Sequence, residues 1–177
     1  MVKFGKRRNI CTMKLDAIDY CLLSALQRDS SLTVSELAAT CRLSRTPVHE
    51  RVKKLEKAGV IVGYRAHLQA AAVGFDIHAF CNVSLKEHTK RFLEQFELSI
   101  CEHPEVVACH HIAGMFDYLI EIRVPDMESY QHFISNKLAS IENIGNVQSS
   151  FVMKELLADR GMGLALMEDR IKKGKTA

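Results

Sequence analysis

The chain has 177 residues, 47% hydrophobic and 25% charged, a balance that supports a globular core in one large domain or two small ones. No run approaches the roughly 18 apolar residues of a membrane span, and residues 1–10 lack the apolar stretch of a secretory signal, so a cytoplasmic protein with no membrane partner is expected. The net charge of +3 is uneven: residues 1–69 carry 13 Lys and Arg against 6 Asp and Glu, and the remainder 11 against 15.

Lys3, Lys6, Arg7, Arg8 and Lys14 precede the first acid, Asp16. Residues 1–13 therefore read as a basic arm, suited to phosphates and equally to a solvated tail. The six cysteines, Cys11, Cys21, Cys41, Cys81, Cys101 and Cys109, form no CxxC pair and read as reduced thiols, most of them buried as small apolar residues.

Leu15, Ile18, Leu22, Leu23 and Leu26 recur at helical spacing after Asp16, a good N-cap, predicting a helix over 16–27. Thr33-Val34-Ser35-Glu36 is a capping box with Leu32 and Leu37 placed as a hydrophobic staple, and it opens a short helix ending near Thr40. Ser44 caps a third helix, where Pro47 is tolerated in the first turn, Val48, Val52 and Leu55 make one buried stripe, and Gly59 stops the helix.

Two capped helices joined by a short turn, the second turning polar residues outward, make a helix-turn-helix with its recognition helix aimed at a DNA major groove. Ser44, Arg45, Thr46 and His49 lie near the N-terminal end, where base edges are met; Glu50 also points away from the stripe, and Arg51, Lys53, Lys54 and Lys57 suit phosphates. The β-branched, alternating stretch Val60 to Leu68 predicts a small wing or linker strand, and residues 66–75 read as the domain boundary.

Beyond it, alternation predicts a strand over Ile77–Leu85. A helix carrying Phe92, Phe96 and Ile100 follows, then strands over 106–113 and 118–124 joined by the Gly114-Met115-Phe116-Asp117 turn. Asp126 caps a helix over 127–141, and a last strand runs over 147–156. The order β-α-β-β-α-β is that of an α+β, ferredoxin-like sheet with both helices on one face, and the bare face, with Phe80 on it, calls for a partner such as a second copy. Residues 158–177 form a tail that reads either as a short helix or as disordered chain.

No GxSxG, P-loop or zinc-protease motif is present, so neither catalytic residues nor a cofactor is expected. Cys109 and His111 could share one face of a strand, but two ligands leave a metal site incomplete, and none is expected.

Leu15-Asp16-Ala17-Ile18-Asp19, Leu43-Ser44-Arg45-Thr46-Pro47-Val48, Glu50 to Glu56 with Gly59-Val60-Ile61, and Gly114-Met115-Phe116-Asp117-Tyr118-Leu119 closely resemble the Lrp/AsnC, or feast/famine, family of transcription regulators. The resemblance covers about Lys14 to Leu156. It implies a winged helix-turn-helix over 14–65, an effector and oligomerisation domain over 76–157, binding of double-stranded DNA, homodimers that assemble up to octamers, and an amino acid or related metabolite as effector. It further implies an effector pocket at contacts between dimers, using Gly114, Met115, Phe116, Asp117 and Tyr118 and, on the last strand, Ser149. Many relatives carry a T-x-T pattern in that strand. Here Val147 and Ser149 occupy those positions, and the loss of one hydroxyl leaves open an effector-independent, architectural DNA-binding protein.

Overall fold

Asp16 opens the first helix: its carboxylate accepts the Asp19 N–H at 2.9 Å while the Asp19 carboxylate accepts the Asp16 N–H at 3.1 Å. The computed structural model of the chain describes residues 13–157 and 161–167. The described residues divide into two units, residues 13–66 with 157 and 161–167, and residues 67–156.

In the first unit, α1 (Ala17–Arg28), α2 (Val34–Thr40) and α3 (Arg45–Lys57) enclose Leu22, Ala25, Leu37, Ala38 and Val48, each at most 5% exposed. The Thr33–Glu36 capping box forms as the sequence predicts. Ser44 occupies the N-cap position of α3, but its side chain makes no capping hydrogen bond. At the other end Gly59 adopts φ +73°, its N–H bonds Glu56 O and the Val60 N–H bonds Leu55 O, the paired closure that only a left-handed residue permits cheaply.

Two expectations are corrected here. The stretch Val60 to Leu68 forms no strand, because no neighbouring strand among the described residues supplies the carbonyls and N–H groups that extended backbone needs. Its Tyr64 hydroxyl instead donates to Glu56 at 2.8 Å, and burial together with that carboxylate pushes the phenol up to about 12. Second, Cys21 on α1 and Cys41, just past α2, are joined as a disulfide, with Cα atoms 6.0 Å apart. Twenty residues separate them, and only the packing of α1 on α2 brings them together.

In the second unit, after a short 3-10 turn over Ala70–Val73, the order is β1 (Ile77–Leu85), α4 (Lys90–Ile100), β2 (Val106–His111), β3 (Tyr118–Val124), α5 (Met127–His132) and β4 (Ile144–Phe151). The sheet is antiparallel, ordered β2-β3-β1-β4. This is the α+β, ferredoxin-like arrangement, with β1 and β3 central. Ala79, Cys81, Val83 and Leu85 of β1 and Tyr118, Ile120, Ile122 and Val124 of β3 pack against Phe96, Ile100, Tyr130 and Phe133, burying the alternate residues that period-2 spacing selects.

The second helix begins as expected, with Asp126 accepting the Ser129 N–H at 2.7 Å, but after His132 it continues as a π-helix over Phe133–Leu138. The Ala139 N–H reaches Ile134 O, five residues back, and such segments are rare and often found at functional sites. β4 starts earlier and stops earlier than the alternation in 147–156 suggests, because its bounds follow the ladder with β1, which runs from Leu85 paired with Ile144 to Ala79 paired with Phe151.

The outer sheet face is not simply apolar. His78 lies against the Phe80 ring at 5.0 Å and 2.9 Å from Glu121, off the hydrogen-bonding direction, and Arg123 bridges to Glu121 and Glu155 at 3.7 and 3.3 Å. Most of the 158–177 tail lies outside the described residues; within it, Met162 O accepts a 2.7 Å hydrogen bond from Gln27 on α1.

Candidate functional site

On α3 the apolar stripe turns inward: Val48 and Leu55 are fully buried and Val52 packs on the same core. That phase leaves Arg45, Thr46, His49, Glu50, Lys53 and Lys54 exposed on the opposite side, following Ser44, which is also exposed. Among the described residues no ion pair engages Arg45, Lys53 or Lys54. With Ser44 not capping, the first turn of α3 keeps N–H groups unclaimed by a side chain, and the positive end of the helix dipole lies beside Arg45.

Arg51 differs from its neighbours. Its Nη1 donates to Asp16 at 2.8 Å and to Asp19 at 2.7 Å, tying α3 to the start of α1. Asp19 is 6% exposed, so the guanidinium neutralises a carboxylate that water barely reaches. Burial pushes the Asp16 carboxyl up, but the Asp19 N–H and Arg51 outweigh it and hold it below its usual range. Arg51 is half-buried and already paired with two carboxylates, a tie that helical spacing alone could not reveal because both partners lie more than 30 residues away.

In the second unit, Gly114, Met115, Phe116 and Asp117 share one turn, with Gly114 at φ +147° and Met115 88% exposed. Asp117 is the tie of that turn. Its carboxylate accepts the Leu85 N–H at 2.7 Å and lies 2.9–3.0 Å from His88 Nε2, while its N–H donates to Val83 O. Burial raises its pKa, but Leu85 and His88 prevail and keep the carboxyl ionised below the usual range.

Tyr118 turns inward, 1% exposed, its hydroxyl donating to Glu97 at 3.1 Å and its ring against Phe96 and His111. Ser149 pairs with Cys81 across β1, on the far side of β1 from β3, and its Oγ accepts from the Tyr130 hydroxyl at 2.5 Å. One chain therefore brings Gly114 to Asp117 together but does not join them to Ser149.

A groove the sequence did not signal lies at the end of the π-helix. It has a volume of about 460 Å³ and is lined by Lys86, Leu138, Glu142, Asn143, Ile144 and Val147, among others. Asn143, at φ +70°, anchors it by exchanging hydrogen bonds with the Glu87 backbone at 3.0 and 2.7 Å. No group of three His, Cys, Asp or Glu side chains that could hold a metal occurs among the described residues, and no helix among them is long and apolar enough to cross a membrane.

With this geometry in hand, comparison with known proteins is decisive. Residues 15–62 match the model of the winged helix-turn-helix DNA-binding domain, and residues 78–162 that of the Lrp/AsnC ligand binding domain. The chain belongs to the Lrp/AsnC family. It is 35% identical to the proline dehydrogenase transcriptional activator of Rhizobium radiobacter, over 85% of this chain and 96% of that protein. It is 36% identical to the leucine-responsive regulatory protein of Rhizobium meliloti, over 83% and 94%.

Among solved Lrp/AsnC-like structures, a transcriptional regulator of Neisseria meningitidis in complex with L-Met superposes with a TM-score of 0.83 at 34% identity, covering 87% of this chain and 99% of that one. An AsnC family regulator of Agrobacterium tumefaciens gives 0.81 at 34%, covering 86% and 99%. The protein is thus a DNA-binding transcriptional regulator of the Lrp/AsnC type with a ligand-binding domain.

Proposed function

We propose that this regulator reads double-stranded DNA with α3 and alters that binding in response to an amino acid or a closely related metabolite. The observation that carries the DNA half is the outward face of α3, charged, exposed and without an ion-pair partner at Arg45, Lys53 or Lys54 among the described residues. Ser44, Arg45, Thr46 and His49 meet base edges, Arg45 being able to fork onto a guanine and Glu50 to accept from a cytosine amino group. Lys53 and Lys54 hold phosphates. Arg51 holds α3 on α1 so that these groups arrive in register.

The effector half draws on the L-Met complex of the Neisseria protein and on the glycine turn. Backbone N–H groups of Gly114, Met115 and Phe116 suit a carboxylate, while Asp117, Tyr118 and Ser149 shape the region from within. Because one chain does not unite the turn with Ser149, a second copy completes the pocket: the working form is a homodimer, assembling further up to an octamer, in the cytoplasm with the chromosome.

A second reading has specific support. Val147 supplies no hydroxyl, the Asp117 carboxylate is already engaged by Leu85 and His88, and Ser149 is engaged by Tyr130. These favour an effector-independent architectural protein. Selection of bound fragments from sheared genomic DNA, with and without pooled amino acids, separates the two. A shift in enriched sites or oligomer size with amino acids supports the sensor, unchanged specific sites support constitutive binding, and no enrichment in either arm removes sequence-specific reading by α3.

A further inference from the structure

We infer that Cys21 and Cys41 form a reversible dithiol–disulfide site that locks the turn leading into α3. The inference rests on the reading of α3 as the DNA-contacting helix only for its effect on binding, not for the chemistry.

Both cysteines are half-buried, neither sealed in the core nor wholly in solvent. They join α1 to the residue that caps the C-terminus of α2, with Cα atoms 6.0 Å apart, within the range a disulfide spans. The next residue, Arg42, has φ +54°, a left-handed conformation that a non-glycine holds only when its surroundings impose it. The Leu43 N–H then closes back on Ala38 O at 2.9 Å, and two residues later α3 begins at Arg45. A covalent tie at Cys41 therefore acts on the bend that aims the recognition helix.

The other described cysteines are poorer redox sites. Cys81 is fully buried, and burial pushes the thiol of Cys109 up to about 12 and raises that of Cys101, leaving little thiolate. A chromosomal regulator also works where the thiol pool keeps cysteines reduced, so a disulfide there is transient rather than a permanent staple.

A hydroperoxide is the oxidant class. One thiolate attacks the terminal peroxide oxygen; the S–O bond forms, the O–O bond breaks and the alcohol, or water from hydrogen peroxide, leaves. The second thiolate attacks the resulting sulfenic sulfur, the S–S bond forms and water leaves, so two electrons pass from the two thiols to the peroxide. A dithiol reductant returns both thiols by exchange.

The bridge restricts the turn, slows its local opening and pre-organises α3 for DNA. Full-length protein would be treated with dithiothreitol or with hydrogen peroxide, then alkylated and mapped by mass spectrometry, with hydrogen exchange followed over residues 38–45. Peroxide should protect Cys21 and Cys41 as one cross-linked peptide, slow exchange across the turn about tenfold and tighten binding to selected DNA fragments at least threefold.

Cys21→Ser and, as a second variant, Cys41→Ala should abolish all three differences, whereas Cys101→Ser should keep them. The comparison of oxidised with reduced native protein stands even if a variant folds poorly. Both cysteines remaining open to alkylation, or a cross-link with unchanged exchange, overturns the site. A cross-link that slows exchange but leaves DNA affinity equal in the two forms overturns the switch. Slowed exchange with no DNA binding in either form upholds the lock and refutes the α3 reading instead.

Discussion

The Nη1 of Arg51 lies 2.7 Å from the Asp19 carboxylate, an ion pair that joins the middle of the recognition helix to the first turn of α1. Its acid is 8% exposed at the side chain and its base 31%, so the pair is shielded on one side only. Arg51→Ala strands the Asp19 charge in a place water hardly enters, and should cost about 1–3 kcal/mol, below the full figure for a buried pair because the arginine is partly solvated. Urea unfolding checks this. An unchanged midpoint would overturn the structural role given to this pair.

Arg45→Ala should act differently, leaving the unfolding midpoint alone and costing about 1–3 kcal/mol of discrimination at one base position. Lys53→Ala or Lys54→Ala should weaken binding to every sequence and reduce the salt slope by about one. Titrations at several salt concentrations on selected and scrambled fragments distinguish them. A uniform loss for Arg45→Ala would mark it as a backbone contact.

The Asp117 tie carries a pH signature. Burial pushes its carboxyl up, but the Leu85 N–H and His88 hold it below the usual carboxylate range, so its contribution is fully present above that range and is lost as pH falls through the lower, folded-state value. The protection factors of the 112–117 amides, measured against the intrinsic exchange rate at each pH, should hold at pH 5 and fall below about pH 4. Asp117→Ala should show the low protection at every pH, because the Leu85 N–H and His88 then lose their shared acceptor. Equal exchange in the variant and native proteins would remove the tie.

Val147→Thr tests the departure in β4. It places a hydroxyl on the same strand face as Ser149, next to the groove, at the cost of hydrating a residue packed on the core. One added hydrogen bond of about 1 kcal/mol should raise affinity for an amino acid roughly fivefold by calorimetry. Heat-silent titrations in both proteins would favour the architectural role.

Much of this molecule is legible residue by residue. Asp16, Thr33 and Asp126 announce their helices through local hydrogen bonds, and the alternation in 77–85 and 118–124 yields both central strands with their bounds, because local chemistry and burial agree there. The failures share a cause in distance along the chain. Val60 to Leu68 has strand-like residues but no partner strand, and β4 has bounds set by β1 rather than by its own pattern. Arg51 looks like any outward base until Asp16 and Asp19 arrive from α1, and Cys21 finds Cys41 only through helix packing. The outward face of α3 was readable because helical phase alone determines it; the groove at Val147 was not, since its walls come from a π-helix, a loop and two strand ends.

That π-helix makes the protein sensitive to length as well as to composition. An i to i+5 turn holds one residue more than an α-turn, so deleting a single residue within Phe133–Leu138 would let the helix relax to ordinary winding. Because the wider turn absorbs that residue locally, the positions downstream, Leu138 in the core among them, would keep their phase, while the segment around Ile134 that lines the groove would tighten. The extra residue thus behaves as local slack: a one-codon loss would reshape the wall of the groove while leaving the helical phase on either side of it intact.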